Sequence, residues 1–149
     1  MTVQEIVDTP LGRVRVDTTG TRVNEVHLGA SGPGSAPRSP LGRDVVRHLS
    51  GTLVDFRRYE VELDAFSPFE RAVFAATRAI PRGEVRMYGQ IAAAIGKPAA
   101  PRAVGNALGK NPACLVIPCH RVVGVDGLGG FTSGLRWKRA LLNLEGGLP

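Results

Sequence analysis

The sequence places two residues that could do nucleophilic chemistry side by side, Cys119 and His120. An ordinary thiol has a pKa of about 8.5, so a cysteine that reacts at neutral pH needs a base or a positive charge nearby. His120 and the following Arg121 could supply both. The pair alone favours a plainer interpretation, a buried cysteine followed by a surface histidine, because neighbouring strand residues point to opposite faces.

The backbone around the cysteine is predicted from its neighbours. Pro118 has a fixed φ and disfavours helical geometry at Ile117. Residues 114–117 are apolar and rich in β-branched side chains, a pattern typical of a short buried strand. We therefore expect this strand to deliver Cys119 to a pocket on an ordered, extended turn outside any helix.

Composition limits the class of protein. A chain of 149 residues with 43% hydrophobic residues can form one compact domain, or two small ones that share a core. No apolar run is long enough to cross a bilayer and the N-terminus lacks the pattern of a signal peptide, so we expect a cytoplasmic protein with no membrane partner. The cysteines and histidines lack metal-binding spacings and there is no P-loop pattern, so neither a metal nor a cofactor is predicted.

The two halves of the chain differ in charge. Residues 1–65 carry 8 basic and 9 acidic side chains, whereas residues 66–149 carry 11 basic and 4 acidic ones. A basic half beside a neutral one indicates that the C-terminal half faces a polyanion. The alternative is a solvated basic surface, since 16 of the 19 basic residues are Arg. Charge alone does not decide between the two.

Residues 1–65 are predicted to form a small α/β scaffold domain with an antiparallel sheet. Alternating apolar residues between turn-forming residues indicate strands, and a stretch rich in Gly, Ser and Pro indicates a mobile loop. The predicted strands are 3–7, 13–17, 23–28 and 56–63, the loop is 29–40, and an amphipathic helix covers 41–49.

Residues 66–149 are predicted to form a second, mainly helical and winged-helix-like domain. Ser67 and Glu70 form a capping box around Pro68, so a helix begins there, and Pro81 ends it. The elements predicted after it are an extended piece at 85–88, short helices at 90–95 and 101–109, a glycine-rich loop at 124–130 and a helix at 135–144.

The final predicted helix carries both apolar and basic side chains. We expect its apolar residues to pack inward and its basic residues to face solvent. Glu145 follows it, and this helix-end carboxylate could also be a buried partner for His120. The inward residues are Trp137, Leu141 and Leu144, and the outward residues are Lys138 and Arg139.

The two short helices at 90–95 and 101–109, joined by a tight turn, make a helix-turn-helix. The outward face of the second helix is unusually small, with Arg102 as its single long basic side chain, so it could approach a nucleic-acid groove closely. The alternative is close helix packing in the core, against which the polar residues of this face weigh. The outward face comprises Arg102, Asn106 and Gly109, with Ala103 and Lys110 beside them.

Six short stretches of the second half form a specific combination in a fixed order. They are Pro81-Arg82-Gly83-Glu84, Tyr88-Gly89, Arg102-Ala103-Val104-Gly105, Asn111-Pro112, Ile117-Pro118-Cys119-His120-Arg121-Val122 and Glu145-Gly146. Together they resemble the O6-alkylguanine-DNA alkyltransferases, closely over residues 67–146 and only in size and strand content before that. The resemblance implies repair of DNA by direct damage reversal, in which the protein moves an alkyl group, such as methyl, from O6-alkylguanine irreversibly to its own cysteine.

The resemblance also implies catalytic roles. Cys119 would be the nucleophile and alkyl acceptor. His120, acting through water and oriented by Glu145, would take the thiol proton. Tyr88 would assist base flipping and donate to the base, and Asn111 would brace the turn between the recognition helix and the active site.

Double-stranded DNA containing O6-alkylguanine is the implied partner, bound in its minor groove, with Arg102 as the finger that fills the space left by the flipped base. We expect the protein to act as a monomer, and cooperative binding along DNA stays open. The remaining implied DNA contacts are Ala103, Gly105, Asn106 and Lys110. The implied base pocket comprises the carbonyls of Cys119 and Val122, Phe131 where many members have tyrosine, and the amide of Thr132 or, because the preceding loop is short, of Ser133.

Three other interpretations compete with the transfer enzyme. An alkyltransferase-like protein would recognise alkylated DNA without transfer, but such proteins replace the reactive cysteine, and Cys119 is present. A turnover hydrolase with Cys119, His120 and Glu145 as its triad leaves the helix-turn-helix and Arg102 unexplained. A transcriptional regulator leaves the Cys-His stretch unexplained.

Overall fold

The structure is a computed structural model that describes residues 2–146. The chain divides into two compact units. The first contains the residues up to Glu62 together with Pro112–Val116, and the second contains Leu63–Asn111 and the chain from Ile117 onward. No helix within residues 2–146 is long and apolar enough to cross a membrane.

The first unit is a four-stranded sheet covered by one helix. Its first three strands form an antiparallel meander, as predicted. Five of their valines are fully or almost fully buried, namely Val7, Val14, Val16, Val23 and Val26. The helix begins at the Ser39 cap, whose hydroxyl accepts from the amide of Gly42, and it buries Leu41, Val45 and Leu49. The elements are β1 (Thr2–Thr9), β2 (Gly12–Thr19), β3 (Arg22–Leu28), α1 (Pro40–Leu49) and β4 (Glu60–Val61).

The predicted strand over 56–63 was wrong in most of its length. The Asp55 carboxylate accepts from the amide of Arg57, which starts a 3-10 turn over Phe56–Arg58. The amide of Tyr59 then bonds to the carbonyl of Phe56, so these backbone groups are engaged within the turn. The strand is reduced to the two residues of β4, which run parallel to β3, and the amide of the following Glu62 donates to the carbonyl of Val23.

The segment Pro112–Val116 belongs to the first unit although it precedes Cys119 in the chain. The amide of Val26 on β3 donates to the carbonyl of Pro112 at 2.9 Å, and Val26 bridges Ala113. The predicted strand over 114–117 was wrong, because Leu115 has a left-handed φ of 75° that turns the chain. The segment is nevertheless buried, as its apolar composition predicted.

The second unit is mainly helical. The capping box was predicted correctly: Ser67 Oγ accepts from the amide of Glu70, and the Glu70 carboxylate accepts from the amide of Ser67. Two short strands pair in parallel, and the second of them directly follows the turn that carries Cys119. The elements are α2 (Pro68–Arg78), β5 (Arg86–Met87), α3 (Tyr88–Ala94), α4 (Pro101–Leu108), β6 (Val122–Val123) and α5 (Leu135–Glu145).

Helices α3 and α4 form the predicted helix-turn-helix. Helix α3 ends before Gly96, whose positive φ of 77° reverses the chain, and Pro101 begins α4. Helix α4 buries Val104, Ala107 and Leu108, and its opposite face is exposed. The predicted orientation of this helix is therefore confirmed.

Candidate active site

Cys119 begins a 3-10 turn that spans Cys119–Arg121. The predicted extended turn was wrong: the amide of Arg121 donates to the carbonyl of Pro118 at 2.9 Å and closes the turn. Because a 3-10 turn rotates successive side chains by about 120°, Cys119 and His120 need not point in opposite directions as they would on a strand. Both residues are buried, with 8% and 1% of their surface exposed, so His120 is not a surface residue.

The imidazole of His120 faces a fixed carboxylate. Its Nε2 lies 3.0 Å from Oε1 of Glu145, at the end of α5, and both side chains are 1% exposed. A hydrogen on Nε2 donated to this carboxylate leaves the lone pair of a neutral imidazole on Nδ1. This is the arrangement of a general base whose orientation is set by a third group.

Arg121 holds the same carboxylate from a second side. Its Nε donates to Glu145 Oε1 and its Nη2 donates to Oε2, both at 2.9 Å, which is the bidentate geometry of a strong ion pair. Its Nη1 donates to the carbonyl of Ile80, just after α2, at 2.8 Å. The sequence allows Arg121 to act as a positive charge for the thiol, but its contacts show that it anchors Glu145.

Lys138 lies in the interior of the second unit, not on its surface as the sequence predicts. It was expected on the outer face of the last helix, but it is completely buried. Its Nζ donates to the carbonyls of Val122, at 2.7 Å, and Gly130, at 3.0 Å, which replace the water that a buried ammonium loses. The sequence carried a signal for this, because Lys138 and Glu145 extend the stripe of Leu141 and Leu142 at spacings of three, four and seven residues.

The ammonium of Lys138 also acts on the thiol through charge. Burial lowers the pKa of Lys138 to about 8, and its electrostatic interaction with Cys119 acts in the opposite direction. By the same attraction, the ammonium favours the thiolate form of Cys119. Lys138 is therefore a cation whose charge acts on the thiol.

The burial of Lys138 predicts a pH dependence of stability. Below about pH 8 the ammonium is charged in both states, whereas between about pH 8 and 10.5 only the unfolded chain keeps the proton, so the free energy of unfolding rises with pH there. The shift corresponds to about 3 kcal/mol in total. Lys138→Met removes this titration while keeping a long side chain. Denaturant unfolding of both proteins should show that the free energy of unfolding of the wild type increases relative to that of the variant as the pH rises across this range. A difference between the two that does not change with pH would contradict the prediction.

Tyr88, the first residue of α3, lies between two glycines. A Cβ atom at Gly105 on α4 would be 3.7 Å from its ring, and one at Gly129 would be 2.7 Å from its hydroxyl oxygen. Gly129 also has a positive φ of 74°, so this position requires glycine for two reasons. The hydroxyl of Tyr88 lies 3.5 Å from the carbonyl of Gly130, and burial raises the pKa of Tyr88, so the phenol remains a donor at neutral pH.

Asn111 connects the end of the helix-turn-helix to the cysteine turn. Its Nδ2 donates to the carbonyl of Ile117 at 2.8 Å.

The residues predicted to form the base pocket have these surroundings. The carbonyl of Cys119 accepts from the amide of Val122. The hydroxyl of Thr132 lies 3.4 Å from the carbonyl of Gly109, and Thr132 is exposed. Phe131 and Ser133 are half-buried, and the ring of Phe131 lies 6.0 Å from the ammonium of Lys138.

The residues predicted to contact DNA occupy different surroundings. Arg102, Ala103 and Asn106 are exposed on the outer face of α4. Gly105 is half-buried and faces the ring of Tyr88. Lys110 is exposed, but its Nζ lies 3.0 Å from Oε2 of Glu70. The sequence predicts only the helix cap for Glu70 and not this ion pair.

A helix-turn-helix, together with a buried cysteine and a histidine held by a glutamate, defines a DNA-binding fold with a cysteine beside a potential base. The sequence model described as the 6-O-methylguanine DNA methyltransferase DNA-binding domain matches residues 68–147. The chain belongs to this family.

Relatives extend the similarity beyond that domain. The chain is 38% identical over 143 residues to a probable methylated-DNA–protein-cysteine methyltransferase of Acanthamoeba polyphaga mimivirus, with 95% of each chain covered. It is 49% identical over 100 residues to the methylated-DNA–protein-cysteine methyltransferase of Mycolicibacterium paratuberculosis, covering 66% of this chain and 59% of that one.

Solved structures show the same fold. The crystal structure of the Mycobacterium tuberculosis O6-methylguanine methyltransferase superposes with a TM-score of 0.83 at 34% identity, covering 98% of this chain and 93% of that one. A structure of the M. tuberculosis protein in complex with DNA gives a TM-score of 0.83 at 35% identity, covering 95% and 92%. The α/β fold with its antiparallel meander and helix-turn-helix is thus the fold of the family.

Proposed function

We propose that this protein repairs DNA by direct damage reversal, transferring the alkyl group of O6-alkylguanine irreversibly to the sulfur of Cys119. The observation that carries the proposal is the buried Cys119 next to His120, whose Nε2 lies 3.0 Å from Glu145. Similarity to methylated-DNA–protein-cysteine methyltransferases along almost the whole chain supports the same activity.

The transfer step uses groups that the site holds. Through a bridging water, Nδ1 of His120 takes the proton of the Cys119 thiol, and the resulting imidazolium is stabilised by Glu145. The thiolate attacks the alkyl carbon, so that a sulfur–carbon bond forms as the bond from that carbon to O6 breaks. The departing guanine gains negative charge and is protonated, with the Tyr88 phenol as the donor. The thioether does not hydrolyse, and each molecule therefore acts once.

The damaged base must leave the helical stack before this reaction. Extrusion costs a few kcal/mol, which contacts to the duplex offset. We assign the exposed face of α4 to the minor groove, with the Arg102 side chain in the space that the base leaves and with Ala103 and Asn106 close to the backbone. Residues 66–149 thus bind DNA and transfer the alkyl group, and residues 1–65 act as the scaffold.

We assign the extruded base to a pocket beside the two backbone segments that Lys138 binds, at Val122 and at Gly130. The Val122 and Cys119 carbonyls face the guanine edge, and the amide of Thr132, or of Ser133, faces O6. By binding the Val122 carbonyl, Lys138 fixes the position of one side of this pocket. We further assign a monomer as the acting species, one molecule for each lesion.

Stoichiometry tests this proposal. We expect a duplex with one O6-methylguanine, in excess over protein, to be repaired until one lesion has been converted for each protein molecule and then no further. Chromatography of the digested DNA measures the restored guanine. Continued conversion would instead indicate a hydrolase, and selective binding without conversion would indicate a recognition protein.

Arg102→Ala is expected to slow transfer from duplex DNA by about tenfold or more, because loss of about 1.4 kcal/mol from the extruded state corresponds to a factor of ten. The alkylated base as a small molecule needs no extrusion, so the variant should react with it at the wild-type rate. Rapid-quench single-turnover kinetics with both substrates measure this. Arg136→Ala, which removes an exposed arginine from α5, is the matched control. Equal slowing on both substrates would contradict the role of Arg102.

A further inference from the structure

Lys110 follows the end of α4, the helix that presents its exposed face for DNA. Its side chain is 66% exposed, and its ammonium lies 3.0 Å from Oε2 of Glu70, whose side chain is 15% exposed. The ammonium of the lysine nearest the end of the DNA-facing helix is therefore already paired with an anion of the same chain. A carboxylate oxygen at this distance makes the contact that a phosphate oxygen would make.

The position of Glu70 is fixed independently of Lys110. Its Oε1 accepts from the amide of Ser67 at 2.9 Å, while its own amide donates to the Ser67 hydroxyl at 3.1 Å. The Ser67 amide, and after it Lys110, lowers the pKa of Glu70, so the carboxylate is charged at neutral pH. One oxygen thus anchors the carboxylate to the start of α2, and the other is presented to Lys110.

We propose that Glu70 is an internal competitor for DNA phosphate, which occupies the Lys110 ammonium in the absence of DNA and yields it to the backbone on binding. The inference rests on the proposed DNA-bound state of α4. It makes Lys110 a weak contributor to affinity in the wild-type protein, although its charge and position suit a phosphate contact. Glu70 is a positioning residue that moderates DNA affinity without touching the lesion.

The exchange is physically feasible because the pair is exposed on the lysine side. Such exposed pairs are weak, so a phosphate can replace the carboxylate, but the free energy needed to break the pair lowers the affinity for DNA. Affinity should therefore rise when Glu70 loses its charge, and only while Lys110 is present to use the gain. This conditional effect separates competition from a general change in net charge.

A double-mutant cycle on an undamaged duplex tests the inference. Glu70→Gln is the informative change, because glutamine at this position also completes a capping box, so the helix start is kept. We expect Glu70→Gln to bind about two- to fivefold more tightly than the wild type. Lys110→Gln should bind no more tightly than the wild type, and the double variant should bind as Lys110→Gln does.

Equilibrium titration at fixed, moderate salt measures the four affinities, and thermal unfolding verifies that each variant is folded. If Glu70→Gln raised the DNA affinity equally in the Lys110→Gln background, the effect would come from net charge alone and the inference would be overturned. It would also be overturned if Glu70→Gln did not raise the affinity of the wild-type protein. Because the duplex carries no lesion, these outcomes do not depend on alkyl transfer. Failure of the wild-type protein to bind the duplex would overturn the proposed DNA-bound state itself.

Discussion

Replacing Cys119 with alanine is expected to abolish alkyl transfer completely while leaving affinity for duplex DNA unchanged. The sulfur is the atom that forms the new bond, and no neighbouring group in the described site can replace a soft thiolate at an alkyl carbon. The residues of α4 that we propose to face DNA, in contrast, should keep their positions, because Cys119 lies in the 3-10 turn and Asn111 still bonds to the preceding Ile117 carbonyl. Single-turnover transfer and equilibrium binding, measured on the same duplex, separate the two effects.

Cys114 provides the matched control for this prediction. It is the other buried cysteine, which precedes Cys119 by five residues and belongs to the first compact unit. Cys114→Ala should retain one alkyl group transferred for each protein molecule. Transfer by Cys119→Ala, or an equal loss of DNA binding in Cys119→Ala and Arg102→Ala, would contradict the division of roles between the cysteine and the arginine.

Arg121→Leu is expected to destabilise the protein by about 3–5 kcal/mol. The change leaves the Glu145 carboxylate buried without the bidentate guanidinium that compensates its charge, and it removes the donor to the Ile80 carbonyl. A loss of this size is a large fraction of the stability of a small domain. Denaturant unfolding followed by circular dichroism measures it.

Two further variants test whether the loss of stability comes from the buried ion pair. Arg13→Leu removes an exposed partner of Asp8, with both side chains at least half exposed, and should cost no more than about 1 kcal/mol. The double variant Arg121→Leu/Glu145→Gln should be less destabilised than the sum of its single variants, because the uncompensated charge is gone. Additive losses, or equal losses for Arg121→Leu and Arg13→Leu, would contradict the assigned role of the buried pair.

Local patterns were sufficient to predict most of the fold. The alternation of valines predicted the meander, and Ser67 with Glu70 predicted the start of α2. The predicted strands are wrong where a side-chain hydrogen bond or a residue with left-handed φ overrides the strand propensity of the segment. Asp55 caps a 3-10 turn inside an apparently alternating stretch, and Leu115 turns the chain within an apolar one. Neither effect changes hydrophobic periodicity.

The site was predictable in its parts but not in its arrangement. The sequence singled out Cys119 and His120 and offered Glu145 as a possible buried partner of the histidine, and the resemblance implied the same partner. Lys138 was assigned to solvent because lysine is rarely buried, and only the positions of two backbone carbonyls explain why burial is tolerated here. The pairing of Lys110 with Glu70 joins residues forty positions apart and has no local sequence signal.

The measurement that tests the central claim most directly is an intact-mass spectrum with peptide mapping after the protein is mixed with a duplex containing one O6-methylguanine. The proposed function predicts a gain of one methyl group in place of a hydrogen, located on Cys119 and formed once for each protein molecule. An unmodified Cys119 together with tight and selective binding to the lesion would contradict it and identify a recognition protein that performs no transfer.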